Sequence, residues 1–217
     1  MAAGYSKAIE LPQSIPVFPL DGALLLPGGQ LPLNIFEPRY LNMIDDVMAG
    51  DRLIGMVQIR GGDPERPGLA AVGCAGKVTS FAETSDGRYL ITLTGVCRFE
   101  LGDELPAGTP YRQVRTRFTP FEADLQTPEP LSAIDRPRFL KALARYLEQR
   151  GLGVDWDTAE QAPSDALVTS LAMGLPFEPA EKQALLEAPS LTDRARVLIA
   201  LLEIDAAGDD DEPHLMQ

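Results

Sequence analysis

The sequence contains very little histidine and cysteine. Its single histidine, His214, lies in an acidic C-terminal segment without apolar periodicity, where no packed shell would orient an imidazole for proton transfer. We therefore expect no histidine-based catalysis. The two cysteines, Cys74 and Cys97, lie in predicted strands between small or apolar neighbours. Two cysteines are too few for a disulfide framework or a cysteine-based metal site, so buried, unreactive thiols are the favoured interpretation.

Long hydrophobic runs are also missing. The longest uninterrupted apolar run, Val197–Leu202, is far shorter than the roughly 20 residues of a membrane-spanning helix. Residues 1–13 contain no apolar segment of signal-peptide length. Together with the low cysteine content, this predicts a cytoplasmic protein with no membrane partner.

Positive charge is scarce. Lys and Arg number 19 against 32 Asp and Glu, which gives a net charge of −13. Binding to a phosphate backbone requires clustered cations, so we expect no nucleic-acid partner. A single predicted strand, with Arg112, Arg115 and Arg117 between Tyr111 and Phe118, forms a basic patch. An exposed strand face explains this pattern better than an RNA site does.

A nucleotide-binding motif is absent. The segment Gly73–Thr79 superficially resembles a phosphate loop, which requires four residues between its glycines and a hydroxyl residue directly after the lysine. Here two residues separate Gly73 from Gly76, and Val78 occupies the hydroxyl position. The segment also lies within a predicted strand, so no nucleotide cofactor is expected.

Two pairs of neighbouring carboxylates are candidates for a metal or catalytic site. Asp45 and Asp46 are adjacent on a predicted helix, so their side chains project about 100° apart and cannot share one ligand. Asp155 and Asp157 flank Trp156 in a segment that is better explained as a helix-capping loop than as a metal site. With no nucleophile–base pair in view, we expect no enzyme activity, no metal and no cofactor.

Residues 14–121 predict a small β-barrel or rolled sheet, because short apolar runs alternate with Pro and Gly. The clearest signal is a hairpin in which Asp86-Gly87 joins Val72–Thr84 to Arg88–Leu101. The other candidate strands are Val17–Leu20, Ala23–Leu26, Leu31–Phe36, Leu53–Arg60 and Tyr111–Phe121. Gly61–Gly68 is predicted to be a loop.

One helix is predicted within this β-rich part. It begins at Glu37, with Pro38 at the first helical position, and Gly50 is predicted to end it in a left-handed conformation.

The pattern changes after Thr119–Pro130, a Pro-rich and acidic segment that predicts a linker. Residues 131–205 then show apolar positions at helical spacing and predict a helical bundle. Within it, Ser190 and Asp193 form a capping-box-like helix start. Residues 206–217 lack apolar periodicity and predict a disordered acidic tail.

Three segments carry a pattern that goes beyond secondary structure. They are, in order, PVFPLDGALLLPGGQLPLNIFEPRY, VGCAGKVTSF…DGRYLITLTGVCRFEL and EKQALLEAPSLTDRARVLIALLE. The second segment contains Gly95, Arg98 and Phe99 in a G-x-x-R-F arrangement. Together they resemble the Lon N-terminal (substrate-binding) domain family, and IFEPRY is typical of its stand-alone bacterial members.

The resemblance implies an α+β fold: a PUA-like β pseudo-barrel with one helix, followed by an α-helical bundle. In full-length Lon this unit precedes an AAA+ motor and a Ser-Lys protease domain, and the sequence contains neither a Walker motif nor a protease dyad segment. The resemblance therefore implies a non-catalytic module that binds polypeptide substrates, or a protease or chaperone partner. A PUA-like RNA-binding protein is the alternative.

The candidate peptide-binding residues lie at the start of the first helix. They are Phe36, Glu37, Arg39 and Tyr40, since aromatic residues and arginine dominate many protein interfaces. The alternative is that Phe36 and Tyr40 pack into the core and that Glu37 and Arg39 stabilise the helix start.

Overall fold

The first half of the chain is built from β-strands and the second half from α-helices. The computed structural model describes residues 4–63, 66–106, 108–127 and 134–208. The strands are β1 (Ser14–Pro19), β2 (Gln30–Ile35), β3 (Leu53–Val57), β4 (Ile59–Asp63), β5 (Arg66–Leu69), β6 (Val72–Glu83), β7 (Tyr89–Glu104) and β8 (Gln113–Arg117). The α-helices are α1 (Pro38–Met48), α2 (Arg136–Gln149), α3 (Trp156–Gln161), α4 (Ser164–Gly174), α5 (Pro179–Glu187) and α6 (Leu191–Gly208).

Strand β7 closes the sheet into a ring. It pairs with β6 along one edge, and along its other edge it is long enough to pair with two strands in succession. Its first half pairs with β2 and its second half pairs with β8. The strand order is β2-β7-β6-β3-β1-β8, and the additional β7–β8 pairing completes the circle. The predicted pseudo-barrel is thereby confirmed. Strand β2 and the ends of β6 and β7 next to it project from the ring as a three-stranded extension.

The predicted hairpin is confirmed, but its turn differs from the expected one. The Thr84 amide donates to the Arg88 carbonyl at 2.9 Å, so three residues form the loop. Of these, Gly87 alone has a positive φ, at 78°. The Asp-Gly pair thus ends a three-residue loop with a left-handed glycine rather than forming a two-residue turn.

Helix α1 begins where the sequence predicts, with Glu37 as the N-cap and Pro38 at the first position. Its end was predicted wrongly. Gly50 does not adopt the left-handed conformation; Arg52 does, with φ of 59°. The Arg52 amide bonds to the Val47 carbonyl at 3.0 Å, and the Arg52 carbonyl accepts from the Val78 amide on β6 at 2.8 Å. The bond to β6 therefore holds Arg52 in its left-handed conformation after the end of α1.

Two further predictions within the β-rich part are corrected. The segment Gly61–Gly68 is not simply a loop, because β4 and β5 pair there as an antiparallel hairpin. Ala23–Leu26 forms no strand, yet its three leucines are buried in the core. Apolar composition predicted the burial of this segment correctly but not its backbone pairing.

The predicted linker is wrong for its first half. Thr119–Leu125 forms a 3-10 helix with a kink at Phe121, and Leu125 is buried. Asp124 of this segment pairs with Arg98 of β7, which holds the segment against the barrel. Residues 128–130 of the predicted linker lie outside the described residues.

Two predicted helix caps of the helical half are confirmed. The Ser190 hydroxyl accepts from the Asp193 amide at 3.0 Å, and the Asp155 carboxylate caps α3 by accepting from the Thr158 amide at 3.3 Å. Helix α6 extends to Gly208, three residues into the segment predicted as a tail. Residues 209–217 lie outside the described residues. No helix in the described ranges has the length and apolar character needed to cross a membrane.

One apolar cluster joins the barrel, α1 and the helices. It contains Leu24 and Ile54 from the barrel side, Met43 from α1, and Tyr146 and Leu198 from the helical side, all fully or almost fully buried. The subdomain boundaries at residues 121 and 131 stay predictions. The shared core holds the three-stranded extension and α1 in a fixed position, which matters for the surface described next.

Candidate functional site

The structure separates the four predicted binding residues into two environments. Phe36 is 62% exposed, and Glu37 and Arg39 form a surface ion pair with 2.8 Å between Nη2 and Oε2. Tyr40 is buried, with its ring centroid 4.4 Å from that of Phe18. Burial raises the pKa of the Tyr40 hydroxyl. The core interpretation therefore holds for Tyr40, while the other three side chains lie at the surface.

The register of the sheet adds a second apolar side chain to Phe36. Because Ile35 pairs with Tyr89 and Asn34 with Leu90, Leu90 lies on the same outer face of the sheet as Phe36. Leu90 is 45% exposed, and exposed Ala82 on β6 lies opposite it. We call Phe36, Leu90 and Ala82 the outer patch. Sequence analysis did not single out Leu90, although side chains alternate along a strand and Leu90 lies between Tyr89 and Ile91 in the predicted hairpin.

Two ion pairs flank the outer patch and leave its rim close to neutral. The Arg88 Nε lies 2.9 Å from Asp86 Oδ2, and the Arg88 guanidinium lies 5.8 Å from the centroid of the Phe36 ring. The Glu37–Arg39 pair lies on the other side of Phe36, where the Arg39 guanidinium lies 4.6 Å from the centroid of the Tyr40 ring. Such exposed pairs contribute little to stability. They do cancel local charge beside an apolar surface.

The adjacent carboxylates Asp45 and Asp46 of α1 bind two different partners, which agrees with the prediction that they cannot share one ligand. Asp45 accepts from the Tyr89 hydroxyl at 3.0 Å, and Asp46 accepts from the Tyr111 hydroxyl at 2.6 Å. The hydrogen bond to Asp45 raises the pKa of Tyr89, whereas burial and then the bond to Asp46 raise the pKa of Tyr111 to about 12. Helix α1 is thereby bonded to the start of β7 through Tyr89 and to the segment before β8 through Tyr111.

Arg98 of the G-x-x-R-F pattern is a deeply buried charged group of the barrel, with 3% of its surface exposed. Its Nε and Nη2 each lie 2.8 Å from the Asp124 carboxylate, and its Nη1 donates to the carbonyls of Leu186 and Ala188. Arg194 donates to the Leu185 carbonyl at 2.8 Å, and burial lowers the pKa of Arg194 to about 10. The two guanidiniums satisfy the carbonyls at the C-terminal end of α5. This cluster joins barrel to helices and presents no open face to a ligand.

The basic strand offers less free charge than its sequence suggests. Arg112 pairs with Glu104 at 2.9 Å and donates to the Pro67 carbonyl at 2.7 Å. Arg117 pairs with Glu100. A shallow surface groove of about 400 Å³ runs past Arg115 and Arg117. Two of the three arginines are thus already neutralised, and the geometry adds no support to an RNA site.

The two cysteines lie on opposite faces of the β6–β7 ladder, because Cys74 pairs with Arg98 and Ala75 with Cys97. Both are buried, and burial raises the pKa of each thiol. A raised pKa keeps a thiol protonated and a poor nucleophile. Among the described residues, no group of three or more His, Cys, Asp or Glu side chains is placed to hold a metal ion.

We expect both thiols to resist alkylating and disulfide reagents in the folded protein. At pH 8, less than about one tenth of the thiol should react within an hour, and both thiols should react within minutes in 6 M guanidinium chloride. The measurement is a colorimetric thiol titration with and without denaturant. Rapid modification of one thiol in the folded protein would show an activated cysteine that burial does not explain.

Comparison with known proteins agrees with this architecture. The sequence model of the ATP-dependent protease La (LON) substrate-binding domain matches residues 14–203. Lon protease 2 of Myxococcus xanthus is 27% identical over 202 residues, which is 89% of this chain and 24% of the relative. The Lon protease of Anaeromyxobacter dehalogenans is 27% identical over 210 residues, covering 89% of this chain and 23% of its own length. The chain thus spans about a quarter of the length of these relatives.

Solved structures share the fold. The N-terminal domain of Mycobacterium avium complex Lon protease superposes with a TM-score of 0.61 at 21% identity, covering 88% of this chain and 98% of that one. A Lon N-terminal domain protein from Xanthomonas campestris gives a TM-score of 0.58 at 24% identity, covering 86% and 97%. With a family match over residues 14–203 and a shared fold, this chain belongs to the Lon substrate-binding domain family.

Proposed function

We propose that the protein is a non-catalytic module that binds polypeptide through the outer patch. The observation that carries this proposal is the position of Phe36, which is 62% exposed at the end of a strand fixed to the sheet and lies between two ion pairs. Large aromatic side chains with an arginine nearby are frequent anchors in protein recognition. Family membership supports the same class of ligand, because the family is described as a substrate-binding domain.

The composition of the patch indicates what kind of polypeptide it accepts. Phe36 and Leu90 offer apolar contact, and the neutral rim gives no strong preference for charge at this face. Covering one phenylalanine side chain contributes about 1.5–3 kcal/mol, which supports weak, reversible binding. Apolar segments are accessible in unfolded chains and buried in folded ones. We therefore expect unfolded or partly folded polypeptides, or an exposed segment of a protease or chaperone partner, to bind here.

Replacing Phe36 should weaken this binding. With a fluorescently labelled, permanently unfolded protein as probe, the wild-type chain should bind with a Kd of about tens of micromolar, and Phe36→Ser should raise the Kd at least about fivefold. Fluorescence anisotropy measures both. Ile204→Ser is the matched control, because Ile204 is 68% exposed on α6, away from the patch, and its replacement should leave the Kd unchanged.

Two results would remove the proposal. One is the absence of saturable binding by the wild-type chain up to about 100 μM, and the other is an equal effect of the two serine substitutions. A casein digestion assay with and without ATP tests the non-catalytic part separately. Cleavage that persists in Phe36→Ser through stringent purification would assign an enzyme activity to the chain.

A further inference from the structure

The three-stranded extension has two outer edges, and only one of them is blocked. On one side lies β2, which pairs with β7 alone among the described strands. On the other side lies the end of β6, residues 79–83, which we call the β6 edge. Strand β3 pairs with β6 only up to Lys77, and among the described residues the last backbone hydrogen bond on that side runs from the Val78 amide to the Arg52 carbonyl at 2.8 Å. Every residue of the β6 edge is exposed.

At alternate residues of the β6 edge, the backbone N–H and C=O groups point away from β7. The Thr84 amide bonds to the Arg88 carbonyl on β7 at 2.9 Å. Because successive residues of an antiparallel strand direct their amides to opposite sides, Ala82 also faces β7, whereas Phe81 and Glu83 direct their N–H and C=O groups away from it. An unpaired strand edge of this kind is a template for another chain.

The β2 edge has the opposite character. The Gly95 amide bonds to the Gly29 carbonyl at 2.9 Å, so odd-numbered residues of β2 face β7 and even-numbered residues face outward. The middle outward-facing residue is Pro32, which has no N–H to donate. Proline at this position prevents another strand from pairing. The β6 edge contains no proline, so the fold protects one edge and leaves the other available.

We infer that the β6 edge binds an extended polypeptide segment as an added strand. This inference rests on the proposed function and specifies how the ligand is held. Main-chain hydrogen bonds to Phe81 and Glu83 would supply affinity that is independent of the ligand sequence. Such strand addition is a recurrent way to bind unfolded or extended chains.

The side chains of the β6 edge also define the ligand's preferred pattern. Phe81 is 41% exposed and its ring lies 4.9 Å from that of Tyr89, so an apolar side chain opposite Phe81 would cover it. Glu83 has no ion-pair partner among the described residues, and Asp45 lies nearby at the Tyr89 hydroxyl. A lysine or arginine opposite Glu83 would be favoured on this acidic surface. Because side chains alternate along a strand, the ligand carries an apolar residue and a basic residue two positions apart.

The decisive protein variants are Glu83→Pro and its control Glu83→Thr. Both remove the carboxylate, but only proline removes the outward amide, and neither disturbs the ladder to β7 because Glu83 does not bond to it. We expect Glu83→Pro to weaken binding of a labelled peptide with the apolar-x-lysine pattern at least tenfold, and Glu83→Thr to weaken it about two- to threefold. Circular dichroism and the unfolding midpoint check that both variants remain folded.

A pair of N-methylated peptides tests the same bonds from the ligand side. Methyl groups on the amides that face β6 should abolish binding, whereas methyl groups on the alternate amides should leave the affinity within about twofold.

Equal affinity of both peptides, or equal affinity of Glu83→Pro and Glu83→Thr, would overturn the added strand, while peptide binding that depends on Phe36 could still stand. Failure of the wild-type chain to bind any peptide would overturn both proposals. Self-association that Glu83→Pro abolishes, without a change in peptide affinity, would assign the β6 edge to a second copy and refute a polypeptide ligand there.

Discussion

Replacing Arg98 with methionine should lower the free energy of unfolding by about 3–5 kcal/mol. Arg98 is 3% exposed, and its guanidinium donates to both oxygens of Asp124 and to the carbonyls at the end of α5. Methionine fills much of the same volume but makes none of these bonds. The substitution leaves the Asp124 carboxylate without its partner in a site from which water is largely excluded. That unpaired charge, more than the loss of attraction, accounts for the size of the effect.

Urea unfolding followed by circular dichroism measures this effect. Arg117→Met is the matched control, because Arg117 is exposed and pairs with Glu100 at the surface, so we expect a change below about 1 kcal/mol.

Adding Asp124→Asn to Arg98→Met should recover part of the loss, since the amide removes the unpaired charge. Arg98→Lys should also destabilise, because an ammonium cannot reproduce the two-pronged contact with the carboxylate. A loss below 1 kcal/mol in Arg98→Met would show that this pair does not hold the two halves together.

Replacing Gly95 with alanine should lower the free energy of unfolding by about 3 kcal/mol or more. A Cβ atom at Gly95 would lie 2.0 Å from the Leu26 carbonyl oxygen and 2.7 Å from its carbon. Both are backbone atoms of a buried segment, so no side-chain rotation relieves the clash. The Gly95 amide and carbonyl also bond to Gly29 and Gly28, so separating the segments breaks these bonds.

Gly153→Ala is the control for Gly95→Ala. A Cβ atom at Gly153 would have nothing within 4 Å, and its φ lies outside the left-handed region. We expect Gly153→Ala to change stability by less than about 1 kcal/mol, with a small gain if the loss of unfolded-state freedom dominates. Urea titrations of the two variants at equal protein concentration give the comparison. Similar stabilities would mean that the Leu26 segment moves aside freely and that the glycine is not required there.

Features set by neighbouring residues could be predicted from the sequence. Pro38 marked the start of α1, Ser190 the start of α6 and Asp86-Gly87 the hairpin, because each signal acts through contacts within a few residues. Features set by distant contacts could not. Closure of the barrel depends on β8 meeting the second half of β7, and the order in Thr119–Leu125 depends on Asp124 meeting Arg98. Composition alone therefore suggested a linker where the chain is packed.

The candidate site shows the same division. Two aromatic residues near the start of α1, Phe36 and Tyr40, were visible in the sequence, but the phase of α1 and the pairing of β2 decide that Phe36 is exposed and Tyr40 buried. The G-x-x-R-F pattern was recognised as a family signature without a physical role. Its glycine allows the close approach of Leu26, and its arginine binds carbonyls that lie about 90 positions later in the chain. No local pattern could have revealed those partners.

The ligands of Arg98 also have a consequence for how the protein is made. The barrel strands emerge from the ribosome first, but Arg98 obtains its carbonyl partners only after Pro189 has been synthesised. Until then the Arg98 guanidinium lacks these carbonyl partners, and the apolar face of the nascent barrel that packs against the helices is uncovered. Contacts between residues so distant in sequence form slowly. Newly translated chains of this protein therefore pass through a period in which they themselves expose the kind of surface that chaperones bind.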